Sequence, residues 1–409
     1  MRSLSILLAG TMAGQAIAFI LTLILARVYT PSEFGEYTLF LATFGIVSAL
    51  STLSLDKAVL FASSDERARF LTGAAVLASG LVGSVWFLGA TVGSALGIGG
   101  FEAHALAVGV AVAGYGAFQA QTQLRLFLRR TASVAASKVT QGALGGASQL
   151  ILQPLLREGG LIVGHVLGVY LAIIPLLLRG GRPLWRLPGR SLVGSVREIR
   201  RESASYLLFV TPAQFIDALS NQLPAYVVAW LFLEATLGQY GMALRVLSAP
   251  VALVGVAIGQ WYLQQSAREL SGSRERLHLL TTTWQRLALV GLVPFAALML
   301  EGDLVFAGVF GEPWRRAGEF AMILAPVLYL KFVSTPTSGI YYQLGLQRLQ
   351  LGFTALMAVL RPAAMYIGGT LFDIRGGIIL MSLIEALQIV AYNAIAVRTL
   401  AASTAVSRS

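Results

Sequence analysis

The sequence predicts an all-α polytopic membrane protein, with about 12 transmembrane helices in two parallel six-helix lobes. Three observations favour this fold class. The mean hydropathy is +0.74 and only 12% of the residues are charged, which separates the chain from soluble domains. Apolar stretches of about 20 residues, the length that crosses roughly 30 Å of hydrocarbon, recur along the whole chain. A segment of the first half also recurs in the second half.

The predicted spans divide evenly around a basic stretch. Six precede residues 179–201 and six follow, which predicts an N-terminal lobe (1–178), a basic cytoplasmic linker (179–202) and a C-terminal lobe (203–409). Because each half contains an even number of spans, both halves face the same way. The first span is too long for a signal-peptide core, so we expect it to be retained as a membrane helix. The spans cover residues 4–26, 38–56, 70–91, 103–124, 132–155, 160–178, 204–229, 237–263, 279–300, 317–341, 351–372 and 376–398.

The repeated segment lies where the first span ends and the second begins. Residues 26–37 read ARVYTPSEFGEY, and residues 229–240 read AWLFLEATLGQY in the same register. Ala, Gly and Tyr match identically, and each copy leads into an apolar span. The repeat indicates one membrane unit that is present twice.

The distribution of Lys and Arg predicts the orientation in the membrane. Twenty of the 30 lie in loops on the side of the N-terminus, seven of them between residues 179 and 201. By the positive-inside rule, both termini are therefore expected in the cytoplasm. A basic rim facing anionic membrane lipids also accounts for the net charge of +11, so no nucleic-acid partner is expected.

Several function classes lack the residues that they need. The chain has no cysteine and only three scattered histidines, so no metal site or cofactor is predicted. No phosphate-binding G-x-x-x-x-G-K-[ST] loop occurs, and the predicted outer loops are too short for the catalytic loop of a glycan polymerase. We therefore expect a transporter that is not an enzyme and that uses a gradient or runs downhill.

Ionisable residues inside the spans are the candidate functional residues, because a charge at membrane depth is costly unless it faces a cavity or a partner. Arg245, Arg361 and Glu385 are predicted near the midplane, and Asp217 lies somewhat outward. One interpretation pairs Arg361 with Glu385 and Arg245 with Asp217. The other is a cationic cavity for an anionic headgroup, since the guanidinium fork suits phosphate oxygens. Protonation of Asp217 or Glu385 would then couple binding to an ion gradient.

Four further cations lie nearer the ends of the predicted spans. Arg27 is expected at the outer end, either at the lipid interface or as part of the headgroup site. Lys331 lies toward the cytoplasm and is a candidate to assist headgroup binding. Lys138 and Arg286 are close enough to the cytoplasmic ends to extend their charges to the membrane surface.

Two segments resemble a known family. Gly10, Thr11, Gly14 and Gln15, followed by LARVYTPSEFGEY at 25–37, are similar to the N-terminal signature of Wzx-type polysaccharide biosynthesis proteins. LGQYGMALR at 237–245, with Pro250 after it, resembles the matching segment of their second half. Span count, loop lengths and the repeat extend the likeness over the whole chain, but only these two segments are specific.

The resemblance implies the multidrug, oligosaccharidyl-lipid and polysaccharide exporter superfamily, in which two six-helix lobes surround a cavity that opens alternately to either face. The Wzx branch moves undecaprenyl-pyrophosphate-linked glycan units across the bacterial inner membrane. It implies that this chain flips an O-antigen, capsule or exopolysaccharide repeat unit, beside other polysaccharide-assembly membrane proteins. Among the site residues, the resemblance extends only to Arg27 and Arg245.

Other functions remain open on the sequence alone. A drug or metabolite exporter of the same superfamily would favour acids in its cavity. A major facilitator carrier would show Gly-Asp-Arg-Gly-Arg between its second and third spans, where this chain reads DERAR at 65–69. A membrane glycan polymerase would have to use Asp217, Glu385 and short loops as its catalytic acids, and a scaffold would leave the buried arginines unexplained. The glycan itself is not predicted.

Overall fold

The computed structural model describes residues 2–97, 104–156, 159–178, 204, 206–268 and 273–406. Within these ranges the regular structure is entirely helical, as predicted. The α-helices in chain order are α1 (Arg2–Val28), α2 (Pro31–Ser48), α3 (Leu55–Val59), α4 (Asp65–Ala95), α5 (Ala105–Phe127), α6 (Thr131–Leu156), α7 (Gly160–Leu171), α8 (Ile174–Leu178), α9 (Thr211–Leu231), α10 (Glu234–Arg268), α11 (Ser273–Phe310), α12 (Arg315–Ser334), α13 (Ile340–Gln343), α14 (Gln347–Leu371) and α15 (Ile374–Val406).

The long helices coincide with the predicted spans. In the described part of the chain, eight helical segments are long and apolar enough to cross a membrane. The other four predicted spans correspond to α2, α5, α6 and α9, which carry more Gln, Ser, Thr or acidic residues. The all-helical, multi-pass fold is therefore confirmed, with the more polar helices concentrated in the first half of the chain.

Helix ends differ from the predicted spans where the backbone breaks. The second predicted span, 38–56, ends early because α2 stops at Ser48 and a turn follows, with Leu53 and Ser54 at φ 52° and 58°. The span predicted at 279–300 is longer because α11 continues past a kink at Glu301. The span predicted to reach 341 ends at Ser334, where a 3₁₀ turn containing Pro336 begins.

The chain forms two compact units. The first unit comprises Met1–Tyr29 and Glu36–Gln222, and the second comprises Thr30–Gly35 and Leu223–Ser409. The division after Gln222 lies inside α9. The lobe boundary expected in the linker 179–202 remains a prediction. That linker lies outside the described residues.

Small residues bring the helix axes together in both units. In the first unit, a Cβ added at Gly142 of α6 would lie 2.1 Å from the carbonyl oxygen of Gly14 in α1. In the second unit, a Cβ at Gly318 of α12 would lie 2.2 Å from the carbonyl oxygen of Gly302 in α11. Apolar burial does not drive association between helices in lipid, so close backbone packing of this kind holds them together.

Candidate cationic site in the second unit

Three charged side chains from three helices of the second unit meet at one carboxylate. Lys331 lies in the last turn of α12, Arg361 precedes Pro362 in α14, and Glu385 lies within α15. Lys331 Nζ is 2.6 Å from Glu385 Oε1, and Arg361 Nη2 forms an ion pair with the same oxygen. The pairing of Arg361 with Glu385, one of the two interpretations of the sequence, is thus present. We refer to these residues as the charged triad.

The charged triad carries a net positive charge in a largely buried place. The exposed fraction of the side chain is 6% for Glu385, 12% for Arg361 and 28% for Lys331. Removing each ion from water costs several kcal/mol, by an order-of-magnitude estimate, and ion pairing offsets that cost only when the charges balance. The three side chains of the charged triad together carry one more positive than negative charge. This excess favours the approach of an anion over that of a further cation.

Polar groups without an obvious structural task surround the charged triad. Ser382 lies one turn before Glu385, and its buried Oγ has no hydrogen-bond partner in the described part of the chain. The buried hydroxyl of Tyr240 lies 3.8 Å from Met381 Sδ, within electrostatic reach of Glu385 and Arg361. Because buried polar atoms are usually satisfied, the Ser382 hydroxyl beside Glu385 requires an explanation.

A cavity of about 400 Å³ lies beside the charged triad within the second unit. Its volume is in the range of small-molecule sites, and Lys331 is the single charged residue of its lining. Most of the wall is apolar, with two hydroxyl groups. The cavity is lined by Ser248, Val251, Ala252, Gly255, Leu328, Lys331 and Thr335.

Arg245 lies on the same helix as one wall of this cavity. It precedes Ser248 by three residues on α10, so the two side chains are neighbours on the helix surface. The guanidinium carbon of Arg245 lies 5.9 Å from the centre of the Phe34 ring. Phe34 in turn meets Trp314 edge to face, with ring centres 5.0 Å apart. Arg245 is thus half-buried and held against an aromatic pair.

The other two predicted site residues belong to the first unit. Arg27 lies in the last turn of α1 and Asp217 in α9, and both residues are exposed. The predicted pairing of Asp217 with Arg245 joins residues of different units and remains a prediction. Their proposed roles in headgroup binding and ion coupling likewise remain predictions.

A second charged depression in the second unit, of about 570 Å³, contrasts with the charged triad. Arg315 lies 2.7 Å from Glu312 and 3.0 Å from Asp303, and Arg375 lies 2.6 Å from Glu319. Here acids match the arginines, so no excess charge selects an anion. In the described residues, no three His, Asp or Glu side chains come together in a way that would hold a metal ion.

The fold defines a class of protein. Searches of solved structures found an inward-facing MATE family multidrug resistance transporter of the MOP superfamily, with 14% identity, TM-score 0.65, and 97% of this chain and 96% of that chain covered. The lipid II flippase MurJ in an inward closed conformation matches with 12% identity, TM-score 0.68, and 96% and 86% covered. A MOP superfamily transporter from Pyrococcus furiosus matches with 13% identity, TM-score 0.54, and 98% and 96% covered. The chain is a multi-pass membrane protein with the fold of these transporters and flippases.

The sequence adds the family. The profile of the polysaccharide biosynthesis protein family matches residues 24–319, well over half of the chain. The protein belongs to this family, which confirms the resemblance noted in the sequence. No curated protein is matched by the chain.

Proposed function

We propose that this protein is a flippase that carries a polyprenyl-diphosphate-linked oligosaccharide across the bacterial inner membrane by alternating access. One observation carries the proposal: Lys331 and Arg361 share one buried carboxylate beside a cavity of about 400 Å³. The substrate would be an O-antigen, capsule or exopolysaccharide repeat unit. Both termini would lie in the cytoplasm, as the distribution of Lys and Arg predicts.

The diphosphate headgroup is the part of the substrate that this site suits. Lys331 lines the cavity, and its Nζ forms an ion pair with Glu385 Oε1 at 2.6 Å. A phosphate oxygen in the cavity would therefore compete with the carboxylate for the ammonium group. Arg361 keeps Glu385 compensated when Lys331 turns to the ligand. Arg245 and Arg27 are the further candidates for headgroup binding, while the polyprenyl chain stays in lipid.

Glu385 is the proposed coupling residue. Protonation of its carboxyl would remove the negative charge that holds Lys331 and Arg361, which raises their affinity for an anion. A ligand or proton shifts a conformational equilibrium only through different affinities for the two states, and the carboxyl supplies that difference here. Asp217 is the second coupling candidate.

The comparisons support this proposal in two ways. The family is one of polysaccharide biosynthesis, and one of the similar folds is a lipid II flippase. The Pyrococcus furiosus transporter is described as having a binding pocket of reversed polarity that suggests a different function. In this chain the excess positive charge disfavours the alternative substrate class, cationic drugs.

The decisive experiment depletes the protein in its own bacterium and measures lipid-linked oligosaccharide together with finished surface polysaccharide. We expect the lipid-linked unit to accumulate on the cytoplasmic leaflet while surface glycan is lost. Expression of the wild-type protein should restore surface glycan. The control variant Arg286→Gln, which removes an exposed charge on α11, should restore it as well, whereas Lys331→Gln should not. Normal surface glycan with unchanged lipid-linked pools would remove the flippase proposal.

A further inference from the structure

A buried cation lies in the first unit, near the C-terminal end of α5, with no counter-charge among the described residues. Arg125 is fully buried, with an exposed fraction of 0%, and its Nε and Nη2 atoms have no hydrogen-bond partner in the described part of the chain. Among the described residues no carboxylate forms an ion pair with it. The charges of Arg130 and Arg69, which act on its guanidinium, are also positive.

The neighbouring polar groups on α5 are equally unsatisfied. Gln121 is 1% exposed, and neither polar atom of its side-chain amide has a hydrogen-bond partner among the residues that the structure describes. Thr122 is 7% exposed, and its Oγ1 likewise has no partner within those residues. Gln121 and Thr122 precede Arg125 by four and three residues, so the three side chains share one face of the helix. Such a cluster of unsatisfied buried groups requires an explanation.

A second cation lies against the same face of α5. Phe118 lies one turn before Thr122, and Lys138 Nζ of α6 lies 4.6 Å from the centre of its ring. The buried acid Asp56 lies within electrostatic reach of Tyr115 on α5, and its Oδ1 accepts a hydrogen bond of 2.5 Å from Thr52. In the described part of the chain, Asp56 forms no ion pair with Arg125, so the guanidinium keeps its charge uncompensated beside neutral donors.

We propose that the Arg125 end of α5 binds an anion of the phosphate class. A buried guanidinium that lacks a counter-charge is strongly unfavourable, and a phosphate group supplies both the charge and the oxygens that its fork of donors fits. The amide of Gln121 and the hydroxyl of Thr122 complete the ligand set. The predicted cytoplasmic position of this end points to two sources, the headgroup of an anionic phospholipid in the inner leaflet or a free phosphate ion.

The test is ligand binding by the purified full-length protein in neutral detergent. Thermal unfolding is followed in three arms, with added phosphatidylglycerol, with added inorganic phosphate and with added phosphatidylcholine. We expect phosphatidylglycerol to raise the unfolding midpoint of the wild-type protein, as preferential binding to the folded state requires, while phosphatidylcholine does not. A rise with inorganic phosphate as well identifies a site that also accepts the free ion.

Matched variants assign the effect to this site. Arg125→Gln and Arg129→Gln remove the same charge four residues apart, but Arg129 is exposed. Arg125→Gln should weaken binding about ten- to hundredfold, the loss typical of a charged hydrogen bond, and Arg129→Gln should not. If Arg125→Gln does not fold, Gln121→Leu and Thr122→Val test the neutral ligands, and each should weaken binding several-fold.

Two results would overturn the proposal. One is that the wild-type protein and every variant of the cluster bind each anion with the same affinity. The other is an Arg125→Met variant that unfolds at a higher temperature than the wild-type protein in all three arms, because the guanidinium would then be an uncompensated charge with no ligand. The test contains no transport step, so its outcome is independent of the proposed flippase function.

Discussion

Gly35 and Gly238 occupy equivalent positions in the repeated segments, and each packs against the other copy. A Cβ added at Gly35 would lie 2.1 Å from the carbonyl oxygen of Glu234, and one added at Gly238 would lie 1.8 Å from that of Pro31. Pro31 and Glu234 are themselves equivalent in the repeat. The contact is therefore reciprocal, as in an isologous interface between two copies of one surface.

This contact predicts that alanine is not tolerated at either glycine. Gly35→Ala and Gly238→Ala should each lower the midpoint of thermal unfolding, because a Cβ cannot lie so close to a backbone oxygen. Since both changes disrupt the same contact, the double variant should be little worse than either single variant. Gly352→Ala is the control, because that glycine is exposed in α14 with open space around it and alanine suits a helix. Additive losses would show that the two glycines act separately.

The charged triad predicts an order of stability among its variants. Glu385→Gln removes the carboxylate that Lys331 and Arg361 share and should cost about 3–5 kcal/mol in the free energy of unfolding. Lys331→Met leaves the pair of Arg361 and Glu385 intact, so it should cost much less while abolishing transport. Denaturation of the purified variants measures the first effect, and surface glycan in depleted cells measures the second. Equal destabilisation by both variants would contradict the proposed charge balance.

The sequence predicted the class of fold but only part of this charge arrangement. Hydropathy and span length are local properties, so they predict the long helices, whereas identical residues in one register reveal the duplicated segment. The axial rise along each span places Lys331 nearer the cytoplasm than Arg361 and Glu385. It does not predict that the long lysine side chain reaches the carboxylate that Arg361 also contacts. The spacing of three residues between Ser382 and Glu385 predicts that both side chains lie on one face of α15. No feature of the sequence predicts the burial of Arg125, because its position at the end of a span resembles that of exposed arginines.

A buried amide on the repeat gives a prediction of stability. Gln239 donates to the carbonyl oxygen of Pro313 at 2.7 Å, and its Oε1 accepts from the backbone N–H of Ala317 at 2.8 Å. It thereby joins the start of α10 to the start of α12. Gln239→Leu should cost about 1–3 kcal/mol in the free energy of unfolding, because it leaves two buried backbone groups unsatisfied. Gln239→Glu keeps the acceptor but loses the donor, so its free energy of unfolding should lie between those of Gln239→Leu and the wild-type protein.

Arg245 allows charge to be separated from geometry in the proposed headgroup site. Its guanidinium lies against Phe34, and the residue precedes Ser248 of the cavity wall by one turn. Arg245→Ala should remove most transport, while Arg245→Lys should restore part of it, because an ammonium keeps the charge but not the planar fork. Both variants must first be shown to be inserted and folded, with unfolding midpoints near that of the wild-type protein. Surface glycan and accumulated lipid-linked oligosaccharide are then measured in the same depleted cells. Full transport by Arg245→Ala would exclude this arginine from headgroup binding and leave the role to Lys331 and Arg361.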